Sequence, residues 1–124
     1  MIVSTLGPYC PQYAHALAIL ERRWSGAVVR ALLAGLTRFG DIQREVPGLS
    51  AKLLAERLKD LEAEGLLTRT VHPETPVRIV YGLTDKGRDL AEVVEALQRW
   101  ATKWVPDRRA REDPNPAVEG ARAV

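Results

Sequence analysis

At 124 residues the chain has room for one domain with a single modest core, and its 46% hydrophobic and 27% charged content is that of an ordinary globular protein. No apolar run reaches the roughly 18 residues of a membrane span, and Met1 to Ser4 lack both a charged region and an apolar stretch, so neither membrane insertion nor a signal peptide is expected and a cytoplasmic setting is the default. A net charge of +2, from 18 basic and 16 acidic side chains, is too small to announce nucleic acid, so any such argument must rest on where the charges sit.

Pro11 suits the first position of a helix, where its missing N–H costs nothing, and Tyr13, Ala14, Leu17 and Leu20 follow at helical spacing. A second helix is predicted from about Trp24 to Ala34, carrying Val28, Val29, Leu32 and Leu33, with Gly35 as its stop. Leu36 to Arg38 reads as a short extended segment, the first strand, and Phe39 to Val46 as a short third helix. Pro47-Gly48 is a turn, Ser50 an N-cap, and Gly65 the end of a fourth helix. From Leu66 to His72 and from Val77 to Leu83 the period changes to two, and Pro73-Glu74-Thr75-Pro76 joins these segments into a β-hairpin. Thr84 caps a last helix predicted to run unbroken to Trp104, with Leu90, Val93, Val94, Leu97, Ala101 and Trp104 on its apolar stripe. Pro106 ends it. The predicted division is a domain over 1–105 and a disordered tail over 106–124, rich in Arg, Ala and Pro.

Two helices across a tight turn, followed directly by a hairpin, make a winged helix-turn-helix, an α+β and mainly helical fold with extra N- and C-terminal helices. At about 100° per residue, Leu53, Leu54, Leu58 and Leu61 of the fourth helix fall on one side. Lys52, Ala55, Glu56, Lys59 and Ala63 fall on the other, where small and long polar residues suit a helix lying against base edges and phosphates. Ser50, Ala51, Lys52 and Ala55 are the candidate base-proximal positions, and Glu56, Arg57 and Lys59 complete the set along the helix. Arg69, His72 and Arg78 put positive charge on the wing, and Arg38 and Arg44 flank the supporting helix as candidate phosphate clamps. Against this stands an even charge balance between Ser50 and Glu64, three basic and four acidic residues, which a plain amphipathic surface helix would also show.

Several segments in combination resemble the HxlR family of winged-helix regulators, the DUF24 group related to MarR. They are Cys10-Pro11 with Ala16-Leu17, Trp24, Leu36 to Ile42, Pro47 to Leu54, Arg57 to Glu62, Gly65-Leu66, Pro73 to Tyr81, Leu83-Thr84 and Gly87. The likeness covers about Cys10 to Trp104. It implies a bacterial, cytoplasmic homodimer, held by its first and last helices, that binds double-stranded DNA at a palindromic operator, with repression as the expected direction. The apolar surface of those two helices, with Trp100 and Trp104 near the chain's end, points the same way. A two-fold dimer would place its recognition helices about 34 Å apart.

Family members that sense quinones, aldehydes or hypochlorite use a cysteine at the position Cys10 occupies. Independently, a cysteine just before a helix-opening proline sits at the positive end of the helix dipole, an environment that favours the reactive thiolate. As the lone cysteine of the chain, Cys10 excludes an intrachain disulfide framework and a Cys-rich zinc site. Reaction is limited to an adduct, a mixed disulfide with a small thiol, or a Cys10–Cys10 bridge across the two-fold. A structural cysteine packed against the helix is the alternative. With His15 and His72 far apart in sequence, no metal or cofactor is expected, and no nucleophile–base pair or phosphate-binding loop suggests an enzyme. The rival functions are a regulator whose apolar ligand enters a dimer cavity with Cys10 inert, and a winged-helix protein interaction module.

Overall fold

The computed structural model describes residues 3–107, with the side chains of Val3 and Ser4 left out of the description. A short 3-10 turn, Val3–Leu6, precedes α1 (Pro11–Glu21), α2 (Ser25–Leu33), α3 (Phe39–Glu45) and α4 (Ala51–Ala63). The hairpin β1 (Leu67–His72) and β2 (Arg78–Leu83) follows, then α5 (Asp85–Arg88) and α6 (Ala91–Trp104). This is a winged helix-turn-helix, mainly helical, as the sequence indicates. Among the described residues no helix is long and apolar enough to cross a membrane. The expected tail beyond Asp107 lies outside the described residues.

The core is built by α2, α3, α4 and the base of the hairpin. Val28, Val29, Ala31 and Leu32 of α2 meet Ile42, Leu54, Leu58 and Leu61, and Leu66, Leu67 and Tyr81 close the far side. Each fully buried leucine or isoleucine contributes about 1.5–3 kcal/mol of apolar transfer, which fixes the roll of α4. Both main helices of this core end as the glycines predict. Gly35 and Gly65 take left-handed φ of 101° and 80°, and the residues around them close Schellman caps. After α4, Gly65 N–H bonds Glu62 C=O at 2.9 Å and Leu66 N–H bonds Leu61 C=O at 3.0 Å.

The hairpin is antiparallel with Leu67 opposite Leu83, Arg69 opposite Tyr81 and His72 opposite Arg78. Its inner face is buried at the base and opens toward the tip, where Val71 and Val77 are exposed. Three local expectations differ from the structure. Leu36 to Arg38 is not a strand: Thr37 C=O accepts Tyr81 N–H at 2.8 Å, which ties the segment to β2 through a single backbone bond. Trp24 stands outside α2 in a left-handed conformation, φ 75°. The last helix is also broken. After α5, Leu90 N–H reaches Gly87 C=O at 3.1 Å in a tighter turn, and α6 starts again at Ala91.

The terminal helices stand apart from this core. Neither α1 nor α6 buries any residue, and Leu6, Tyr9, Tyr13, Leu17, Val93, Leu97, Trp100 and Trp104 are all exposed.

Candidate nucleic-acid interface

Ser50 is extended, φ −78° and ψ 157°, and its Oγ accepts Leu53 N–H at 3.1 Å, so the hydroxyl is spent on starting α4. With Leu54, Leu58 and Leu61 buried, the helix turns Ala51, Lys52, Ala55, Glu56, Lys59 and Ala63 to solvent. The expected outer face is thus one continuous strip, and its alanines leave the backbone free to approach a surface closely.

The charges of α4 sort onto two faces. Lys52 and Lys59 point outward with no ion-pair partner among the described residues. Two of the four carboxylates turn the other way, toward α1. Asp60 takes Arg22 at 2.8 Å and Arg57 at 2.9 Å, and Glu64 takes His15 Nε2 at 3.1 Å. Arg22, through its hydrogen bond, is the largest influence holding Asp60 below its ordinary value of 3.8; Arg57 adds to it, and partial burial opposes both. The even charge count therefore misrepresents the exposed strip, where only Glu56 and Glu62 remain as acids.

Arg57 is placed differently from the rest of its predicted set. Its side chain is 14% exposed, its Nε donates to Arg23 C=O at 2.7 Å, and its guanidinium binds Asp60. It belongs to the contact between α4 and the end of α1, about 140° to 160° of helix away from Lys52 and Lys59 by the usual helical pitch.

Arg38 is the exposed N-cap residue of α3, in extended conformation, and Arg44 pairs with Asp41 on the same helix. A shallow groove between the start of α3 and β2 joins Arg38, Phe39, Gly40 and Arg44 to Val77 and Ile79. On the wing, Arg78 and Glu74 form a two-point pair, Nη2 to Oε2 at 3.0 Å and Nε to Oε1 at 3.4 Å. That hydrogen bond, with the charge of Arg78, lowers the Glu74 carboxyl; His72 and Arg38 add smaller contributions. The same pair raises Arg78. Wing tip and α3 start therefore share one electrostatic neighbourhood, in which Glu74 already occupies the arginine. Arg69 is exposed on the Tyr81 face of the hairpin, while His72 and Arg78 sit opposite each other on the other face.

Cys10 is the N-cap of α1. It is half-buried, and its Sγ accepts Tyr13 N–H at 3.3 Å. Exposed Tyr9 and Tyr13 meet edge-to-face beside it, ring centroids 6.0 Å apart.

Sequence reasoning missed the α1–α4 polar contacts and the Glu74–Arg78 pair. Both left a signal. Asp60 and Glu64 lie one turn apart on α4, His15 and Arg22 two turns apart on α1, and Glu74 and Arg78 four residues apart across the hairpin loop.

A family model described as "HxlR-like helix-turn-helix" matches residues 19–109. The HTH-type transcriptional regulator YvaP of Bacillus subtilis is 49% identical over 96 residues, covering 77% of this chain and 89% of that protein. The regulator YodB of the same organism, in its reduced form, superimposes with a TM-score of 0.69 at 41% identity, over 78% of this chain and 95% of that one. YodB is also known in diamide-treated and quinone-bound forms. The redox regulator HypR in its oxidised form superimposes with a TM-score of 0.70 at 29% identity, over 76% of this chain and 96% of that one.

Proposed function

This chain belongs to the HxlR-like helix-turn-helix family of transcriptional regulators, and we propose that it works as a homodimeric, sequence-specific repressor on a palindromic operator in the cytoplasm. The observation that carries the DNA reading is the outward strip of α4, with Ala51, Lys52, Ala55 and Lys59 free of the core and of ion pairs, beside a wing bearing Arg78 and a helix opening at Arg38. Ala51, Lys52 and Ala55 reach base edges, Glu56 and Lys59 follow along the groove, and Arg38 and Arg78 bind phosphate. Ser50 serves by starting the helix in the right place, and Arg57 leaves the contact set because it is consumed inside the chain. Two copies are joined through α1 and α6, whose exposed aromatic and aliphatic side chains supply the apolar surface such an interface requires.

Cys10 is the proposed switch. Its sulfur is both cap and nucleophile, so an adduct takes from Tyr13 N–H its acceptor and loosens the first turn of α1. A quinone fits this position. The sulfur adds to the ring, one S–C bond forms, and the ring takes up the thiol proton to become a hydroquinone, while Tyr9 and Tyr13 offer faces for stacking. That one structural neighbour is known in a quinone-bound form and another is described as a redox regulator supports the same chemistry.

The test is binding to DNA from beside the protein's own gene, with and without quinone. Wild type should bind with a steep salt dependence and lose binding on treatment, and Cys10→Ser should bind and resist. Lys52→Ala should weaken specific binding more than nonspecific binding. Equal loss in wild type and Cys10→Ser would move the signal to a second reading, an apolar ligand. A groove of about 770 Å³ between α2 and α6, floored by Leu33, Ala34, Ala91 and Val94, favours it. Binding indifferent to salt would point to a protein interaction module instead.

A further inference from the structure

We propose that a polar clasp between α1 and α4 transmits the position of α1 to the helix assigned to DNA, with Arg22 and His15 as positioning residues that touch no DNA themselves. The inference rests on the reading of α4 as the DNA helix and of Cys10 as the cap of α1, and extends it to how one affects the other.

α1 has little else to hold it. It buries no residue, and it meets the core through the half-buried Ile19 and Leu20. Where it faces α4, a cleft of about 220 Å³ lies between the helices, lined by His15, Ile19, Arg22, Asp60 and Glu64 among others. Across that cleft run an ion pair and a histidine–carboxylate hydrogen bond. Arg22, the C-cap residue of α1, reaches Asp60 at 2.8 Å, and His15, one turn into the helix, reaches Glu64 at 3.1 Å. A third link closes the loop: Arg57 binds the same Asp60 oxygen at 2.9 Å and donates its Nε to the carbonyl of Arg23 at 2.7 Å. Trp24, next in the chain, lies 3.5 Å from where a side chain on Gly48 would begin, in the turn ahead of α4.

Two attachment points fix an angle, whereas one would act as a pivot. With Asp60 and Glu64 a turn apart on α4 and their partners two turns apart on α1, the clasp couples tilt of α1 to roll of α4. Lys52 and Lys59 ride on the same rigid helix, so its roll sets whether they meet a groove. Bridges placed here for stability alone would hold α4 equally well whatever α1 does; transmission requires that α4 respond when the start of α1 is disturbed.

Backbone amide exchange on the full chain separates the two. N-Ethylmaleimide alkylates Cys10, the chain's lone thiol, and unseats its cap without an oxidant. In wild type, alkylation should speed exchange in the first turn of α1 and change exchange in α4 by about threefold or more, with α2 as the unmoved control. In the double variant Arg22→Gln/His15→Asn the α1 response should persist and the α4 response vanish, and Arg22→Lys with His15 intact should restore it. An α4 indifferent to alkylation in wild type, or still responsive in the double variant, overturns the clasp. Should the double variant lose its helical spectrum, Glu64→Ala alone removes the acceptor of His15; there a reduced α4 response supports the clasp and an undiminished one overturns it. DNA binding enters through a separate measurement, fluorescence anisotropy with DNA from beside the gene. Its failure would remove the DNA reading while the exchange result still judges the clasp.

Discussion

Asp60 receives two guanidinium groups on one carboxylate oxygen, and that geometry has a pH signature. Because Arg22 and Arg57 hold its folded-state value below the ordinary 3.8, the carboxylate stabilises the fold fully at pH well above 3.8, and the contribution disappears as pH falls through 3.8 toward the folded value. The side chain is 33% exposed and Arg22 52%, so solvent screening limits the effect to under about 1 kcal/mol. Asp60→Asn should therefore lower the urea midpoint at pH 6, and by less at pH 2.5, below the ordinary carboxylate value of 3.8. A deficit of equal size at both values would show that the side chain acts through packing rather than charge. Residues of this kind were hard to see in the sequence. Ser50, one hydrogen bond from its own helix, was legible from the chain order alone, as was the outward placing of Lys52 and Lys59. Arg57 was not, because its partners come from α1, 34 residues away at Arg23, and nothing local separates an arginine that binds phosphate from one that binds a carbonyl.

Elements were legible where a cap or period announces them and obscure where tertiary contact decides. Both Schellman ends, the N-cap of α4 and the alternation of the hairpin follow from local chemistry. The break between α5 and α6 does not, because it comes from how α5 meets the sheet. Thr84 caps α5 and also donates to Gly65 C=O at 2.6 Å, Lys86 donates to Glu64 C=O at 2.6 Å, and Gly87 is pressed against Leu66. A Cβ on Gly87 would lie 2.1 Å from Leu66 C=O and 2.8 Å from Leu83 Cδ2, closer than real carbon atoms come. Gly87→Ala should accordingly cost about 3 kcal/mol, more than helix propensity could return, and lower the melting temperature by roughly 10 °C or more. A neutral outcome would mean that the contact yields by moving the whole of α5. On the wing, Glu74 competes with phosphate for Arg78. Removing that charge in Glu74→Gln should tighten binding to random-sequence DNA about two- to fivefold at low salt and leave the fold unchanged. Unchanged affinity would place the wing tip clear of the DNA.

At the scale of the whole molecule, a compact core carries two helices that touch it along one edge, through Ile19, Leu20 and Val94, and leave most of their apolar side chains outside. On α6, Val93, Leu97, Trp100 and Trp104 recur at intervals of four, three and four residues, so they line one seam, and all are about half or more exposed. Leu6, Tyr9, Tyr13 and Leu17 add a second apolar surface on the N-terminal arm and α1. Leaving both in water would cost several kcal/mol at about 25 cal/mol per Å², a penalty that burial against a second copy removes. None of the four α6 side chains belongs to the core cluster, which makes the interface separable from the fold. Leu97→Asp/Trp100→Asp should thus keep its helical spectrum and core stability while sedimenting as a monomer at micromolar concentration. Emission from Trp104, the remaining tryptophan of the seam, should shift to the red as water reaches it. Operator affinity should fall by about 100-fold or more, because each copy then meets its half-site alone and loses the high effective concentration that a joined partner provides. A variant that stays dimeric would assign the two-fold contact to α1 and the N-terminal arm. A monomer with undiminished operator affinity would mean that one copy supplies the whole of the recognition.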